Sequence, residues 1–167
     1  MIRTGHRLPA WHHNIRKQVV KAPKLHFLDS GLACYLLNIR EPDQLRHHPL
    51  RGAIFESWVV SELYKAQAHR GETPDLHHYR ESRGLEMDLL VHLGDRLYAV
   101  EAKSAATTTG DFFKGFAAFA ERIGASGLPA EIENVVVYGG ERSQQRSAAR
   151  VIAWRDVGKI LPDGGMR

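Results

Sequence analysis

Two acidic residues and a lysine hold the chemistry that this sequence offers most plainly. Glu86 to Leu93 and Leu97 to Lys103 both read as strands, joined by Gly94-Asp95-Arg96 as a hairpin signal. Alternation puts Glu86, Asp88, Leu90 and His92 on one face of the first strand, with Met87, Leu89, Val91 and Leu93 on the other. On the return strand Leu97, Ala99, Glu101 and Lys103 share a face, opposed by Tyr98, Val100 and Ala102. A two-residue turn at Gly94-Asp95, with glycine first, pairs Leu93 with Arg96 and sets Asp88 directly opposite Glu101. A four-residue loop gives the same pairing. A three-residue loop would oppose Leu89 to Glu101, so the juxtaposition is conditional on the turn.

Directly opposed side chains have Cβ atoms ~4.5–5.5 Å apart, and two carboxylates that close repel. A divalent cation between them reverses the sign, and carboxylate oxygens suit Mg²⁺ or Mn²⁺. Lys103, two residues beyond Glu101 on the same face, could hold a water or stabilise a phosphate oxygen. The competing reading is a salt-bridged cluster on a solvated sheet face.

Glu56 is the third acid out of place. On a helix from Leu50 to His69, its neighbours at three and four residues are Gly52, Ala53, Val59 and Val60, and Leu63 lies two turns on. It therefore falls in the apolar stripe, where an unpaired carboxylate costs several kcal/mol or shifts its pKa. A structural ion pair is the alternative. Glu62, near Lys65, reads as an ordinary surface acid.

The elements that must position these residues follow in order. Lys24 to Leu28 reads as a short strand, Asp29-Ser30 as a cap, and Gly31 to Leu37 as a short helix. Arg40 to Pro49 looks like a loop bounded by Pro42 and Pro49. The long helix starts after Pro49 and stops at Gly71. Leu76 to Tyr79 precedes the hairpin. Thr107 to Asp111 can cap a helix from Phe112 to Ile123, whose Phe112, Phe113, Phe116 and Phe119 follow helical spacing and read as core. Asn134 to Tyr138 and Arg150 to Trp154 are the last strands. Such an order predicts an α/β fold, a mixed sheet of about five strands flanked by helices.

The chain has 167 residues, 43% hydrophobic and 25% charged, which is ordinary globular composition and excludes a low-complexity polymer. No apolar run approaches the ~18 residues that span a bilayer. Met1 to Ala10 has no apolar segment of signal-peptide type. A lone cysteine, Cys34, can form no internal disulfide and suits a reducing, cytoplasmic setting. It sits among apolar residues and reads as a buried, inert thiol. The net charge of +4 is uneven: residues 1–24 hold six basic residues and no acid. Residues 1–20 lack periodicity and read as a basic leader or linker, with Lys21 and Lys24 available to contact phosphates. Arg80 and Arg83, in the loop that leads to the Asp88 strand, could touch a nucleic-acid backbone, as could Arg142, Arg146 and Arg150. His12-His13, His47-His48 and His77-His78 lack metal-site spacing and read as surface histidines.

Glu56, Asp88 and Glu101-Ala102-Lys103, in this order, resemble the PD-(D/E)xK nuclease superfamily, the restriction-endonuclease-like fold. The resemblance implies a core of one helix, three antiparallel strands, a helix and a further strand. Glu56 matches the first-helix acid, Asp88 the second-strand aspartate and Glu101-Ala102-Lys103 the (D/E)xK, with Met87 where proline often stands. It further implies that Asp88, Glu101, the Ala102 carbonyl and Glu56 hold Mg²⁺ or Mn²⁺ and that Lys103 orients the attacking water.

A closer resemblance rests on Lys21 to Leu32, Pro49 to Glu56, Tyr79-Arg80 with Gly84 to Leu90, Glu101 to Ser104, and Asp111 to Gly115. These segments look like the C-terminal domain, of unknown function, of a prokaryotic AAA-type ATPase family. That family implies an ATPase domain in the same polypeptide. This chain has no G-x-x-x-x-G-K-[ST] and cannot bind nucleotide through a P-loop. It looks like the C-terminal portion alone, its leader a remnant of the preceding domain. The expectation is a metal-dependent nuclease acting on DNA. The alternatives are a non-catalytic DNA- or protein-interaction module, or a structural remnant that exposes apolar surface and self-associates.

Overall fold

The structure, a computed structural model, describes residues 4–11, 22–81, 84–125 and 131–162. The Leu76–Arg80 (β3), Glu86–Leu93 (β4) and Arg96–Lys103 (β5) strands run antiparallel in sequence order. Glu131–Tyr138 (β6) and Arg150–Ala153 (β8) then add in parallel, and Gln144–Gln145 (β7) closes the edge, giving a mixed sheet ordered β3-β4-β5-β6-β8-β7. The architecture is α/β as expected, with six strands in the main sheet.

Helices cover both faces, because the strands alternate between two apolar sides. On one side Val59, Val60 and Leu63 of a helix over Arg51–His69 (α3) pack on Leu89, Val91, Tyr98, Val100 and Val135. On the other, Phe116, Phe119 and Ile123 of a helix over Lys114–Gly124 (α4) pack on Leu90, Leu97, Ala99 and Val136. The Phe spacing on α4 therefore reports core, as its period requires. On α3, Gly52 and Ala53 are exposed and the buried stripe begins at Ile54, so the apolar side of Glu56 is narrower than the sequence pattern suggests.

The hairpin turn decides the register. Gly94 takes φ +58° and no positive φ falls on Asp95, which is the two-residue turn with glycine first. Leu93 pairs with Arg96, and the ladder runs to Leu89 opposite Val100. Asp88 and Glu101 are the next residues on each strand.

Strict alternation fails at that point. Between β3 and β4 the register shifts: His77 pairs with Leu90, but Tyr79 pairs with Met87. The extra residue is a β-bulge spanning Asp88 and Leu89. It turns Met87 to the Leu90 side, whereas simple alternation groups Met87 with Leu89.

Three further expectations change. Arg40 to Pro49 is not all loop: Pro42–His47 is a helix (α2), begun by a proline in its first turn and a Glu41–Gln44 capping box. Gly5–Leu8 of the basic leader is a strand (β1) paired with Lys24–Phe27 (β2), and Ala10 bridges in parallel to His78. Leu8, Ala10 and Trp11 are buried, covering the edge of β3, too few and too irregular to register as a period. His78 is consequently buried and not a surface histidine. A short helix, Ser30–Leu36 (α1), is capped by the Asp29 side chain accepting from Leu32 N–H, as its sequence suggests. His12-His13, Lys21 and Arg83 lie outside the described residues.

Phe119 is fully buried between α4 and the sheet. Phe119→Ala is expected to lower unfolding free energy by about 3–5 kcal/mol in a urea titration. A loss below about 1 kcal/mol would mean that α4 does not close this face.

Candidate functional site

Beyond the Leu89–Val100 pair, β4 continues along β3 while β5 continues along β6. The two strands part there, and backbone groups that would have paired need other partners. Asp88 supplies one: its Oδ2 accepts the Ala102 N–H at 2.9 Å. Lys103 supplies the other balance. Its ammonium donates to Glu101 Oε2 and lies 3.6 Å from Asp88 Oδ2. Asp88, Glu101 and Lys103, which the turn brings together, are all largely shielded, with side chains 17%, 12% and 31% exposed.

Burial and the neighbouring Asp88 charge push the Glu101 carboxyl up to about 7, against the pull of Lys103. Burial alone would lower the Lys103 ammonium, but Asp88 and Glu101 outweigh it and hold the pKa above its ordinary value.

Glu56 stands beside this trio but has a different partner. Lys24 Nζ donates to Glu56 Oε1 at 3.0 Å and reaches Glu86 Oε1 at 2.8 Å. Burial, then the charge of Asp88, raises the Glu56 pKa, so Glu56 and Asp88 sense each other across the cleft. His26 lies behind, its Nδ1 3.1 Å from Ser57 Oγ and its Nε2 3.9 Å from Glu56 Oε1. Burial, reinforced by Lys24, lowers His26 to about 4, so it is neutral at physiological pH.

Lys24 is thus clasped by two carboxylates, not presented to a phosphate, and its exposure falls to 24%. Glu86 and His26 join the site without having been singled out in the sequence. Glu86 carried a usable signal, an acid two residues before Asp88 on the same strand. His26 carried none, since only packing places it behind α3. Arg80 is exposed at the rim, 3.9 Å from Glu86. Arg150 is held by Glu133 at 2.8 Å and by the Ile160 carbonyl, a structural role. Arg142 and Arg146 are exposed.

Four carboxylates (Glu56, Glu86, Asp88, Glu101) face two ammonium groups and the rim guanidinium of Arg80, an excess of one acid. That donor chemistry suits a hard cation. Among the described residues, no three His, Cys, Asp or Glu side chains group so as to hold a metal by themselves. A cation could rest on Asp88 and Glu101 with a backbone oxygen and water; all three acids are bonded to lysines here, Glu56 to Lys24 and the other two to Lys103.

Next to the trio lies a cavity of about 380 Å³, between α1, α3 and the ends of β5 and β6. Ser104, which follows Lys103, and Gly139 form one wall; Phe55, Trp58 and Trp154 form another. The strand ends approach so closely that a Cβ on Gly139 would lie 2.5 Å from the Ser104 carbonyl oxygen. Cys34 is half-buried and lines this cavity, more accessible than its apolar neighbours suggest.

Fold and site together define an α/β domain with a carboxylate–ammonium cluster where a hairpin opens. Over residues 51–157 the chain matches the family described as "Domain of unknown function (DUF4143)", and it belongs to that family. Residues 2–43 match a second description, "Domain of unknown function (DUF8612)". Two similar proteins are the uncharacterized protein Rv2008c of Mycobacterium tuberculosis and the uncharacterized protein Mb2031c of Mycobacterium bovis. Each is 33% identical over 101 residues, which is 60% of this chain and 22% of the relative. The chain thus spans about a fifth of the length of these relatives. No helix among the described residues is long and apolar enough to cross a membrane.

The raised Glu101 pKa makes stability fall with rising pH. The folded state binds the proton more tightly than the unfolded chain, so stability is complete below about pH 4.5 and is lost as pH rises through about 7. The depressed His26 pulls the other way over this range, so the Glu101 contribution is read as a difference: in denaturant melts from pH 5 to 8 without divalent ions, the stability of the parent relative to Glu101→Gln is expected to fall by on the order of 2 kcal/mol. Parallel curves for parent and variant would show that Glu101 is not the group responsible.

Proposed function

We propose that this chain is a metal-dependent, nuclease-like domain that hydrolyses phosphodiester bonds in DNA and works in the cytoplasm. The observation that carries the reading is the convergence of Asp88, Glu101 and Lys103 where β4 and β5 part. Asp88, Glu101 and the Ala102 carbonyl would hold Mg²⁺ or Mn²⁺, with Glu56 steadying the cleft through Asp88. A cation bound there supplies Lewis-acid polarisation of a phosphoryl oxygen and offsets the excess acid.

The residues themselves do the rest. Lys103 donates to Glu101, and that donor geometry would equally orient a water or a non-bridging phosphate oxygen. Asp88 stays committed to the Ala102 N–H and thereby holds the main chain of the motif in place. Arg80, exposed at the rim, would meet a strand backbone.

A second reading is a protein-interaction module of an AAA-type ATPase. It draws on exposed Leu25, Tyr35 and Leu36, and on relatives far longer than this chain.

Incubation of the purified chain with single- and double-stranded DNA and Mg²⁺ or Mn²⁺ is expected to give cleavage that Asp88→Ala and Lys103→Ala each reduce at least about a hundredfold. Equal turnover by parent and variants would end the catalytic reading. Mg²⁺ at a hundred times its Kd should also stabilise the fold by about 2.7 kcal/mol, raising the melting temperature of the parent but not of Asp88→Ala. A melt indifferent to both cations would remove the metal.

A further inference from the structure

We infer that the cavity beside Lys103 takes an unpaired nucleobase, so that the domain engages single-stranded nucleic acid. The inference rests on the proposed phosphodiester chemistry and names its substrate class.

Position is the first argument. Ser104 directly follows Lys103, and Gly139 directly follows Tyr138, which is the register partner of Lys103 on β6. A residue of the cavity wall therefore directly follows Lys103 in the chain. A strand bound at Lys103 would run past this wall.

Lining chemistry is the second. Phe55, Trp58 and Trp154 are each half-buried, leaving ring surface toward the cavity. Phe55 and Trp58 lie 5.7 Å apart, and Trp58 meets Trp154 edge-on at 5.9 Å. Base–aromatic stacking needs such a wall, and it tolerates any base because every base has a π-face. Arg51 adds a planar cation, fixed by donating to the Ser104 carbonyl, which can stack on a base or bond to its edge.

Size is the third. A volume of about 380 Å³ is at the low end for ligand sites, room for one planar group and not for a helix. A base inside a duplex is stacked and paired, and reaching this cavity would require its extrusion. Single strands avoid that penalty.

The test measures binding of the full chain without divalent ions, by fluorescence anisotropy. The probes are a short single-stranded oligodeoxynucleotide, the same strand with abasic sites, and its duplex. Each base stacked contributes enough that the abasic strand and the duplex should bind at least about fivefold more weakly than the intact strand. Trp154→Ala should weaken the intact strand to the same extent and leave the abasic strand unchanged, with Trp154→Phe restoring most of the difference. Should Trp154→Ala fail to fold, the comparison of strands on the unaltered chain decides alone.

Equal affinity for intact and abasic strands overturns the inference, as does a preference for duplex. So does an absence of DNA binding; quenching of tryptophan fluorescence by an apolar peptide would then make the cavity a seat for a protein side chain. Cleavage with Mg²⁺ is scored separately. Cleavage with base-indifferent binding sinks the cavity and keeps the hydrolysis; base-dependent binding without cleavage does the opposite.

Discussion

The bond from the Ala102 N–H to Asp88 Oδ2 is the contact on which the site depends. Where β4 leaves β5, a buried amide loses its ladder partner, and an unsatisfied donor there costs about 1–3 kcal/mol. A carboxylate fills the gap. The bulge at Asp88 and Leu89 makes this possible, because it frees Asp88 from the strict inward–outward sequence of the strand. The same bulge moves Met87 onto the α4 side, where it packs with Phe116 and Leu90. One extra residue thus joins the core to the chemistry.

Once Asp88 is fixed, charge does the remaining sorting. Glu101 lies opposite it and cannot ionise freely, so Lys103 folds back between the two. The same problem recurs a few ångströms away, where Lys24 answers Glu56 and Glu86. Each lysine is half-buried, and each loses less by desolvation than it gains from two carboxylates. Two parallel clamps leave acid in excess, a state that favours proton uptake or a cation. The cavity lies at the carboxyl ends of β5 and β6, where open α/β sheets commonly bind ligands, its wall including Ser104 after Lys103 and Phe55 before Glu56.

How much of this could be read from residues alone varies with the range of the forces involved. The hairpin register was legible, because Gly94 at the head of a two-residue turn leaves little freedom. Phe116 and Phe119 were legible as core because helical period is a local property. The α2 helix was missed although its Pro42 start and Glu41–Gln44 box are starting signals, since the two prolines suggested a loop. The burial of Leu8, Ala10, Trp11 and His78 was not legible, for it arises when a distant segment lies along the edge of β3.

The candidate site divides the same way. Residue types and spacing pointed to a meeting of Asp88, Glu101 and Lys103, conditional on a two- or four-residue turn, because strand pairing across a tight turn follows from a few neighbouring residues; the bulge and the parting of the strands set how they meet. Tertiary structure decided the partners: Lys24 clasps Glu56 and Glu86, His26 sits neutral behind them, and Trp58 and Trp154 form a wall beside Ser104. Those contacts join residues tens of positions apart. Their energies depend on burial and on distances of a few ångströms, quantities that exist only when helices have packed on the sheet.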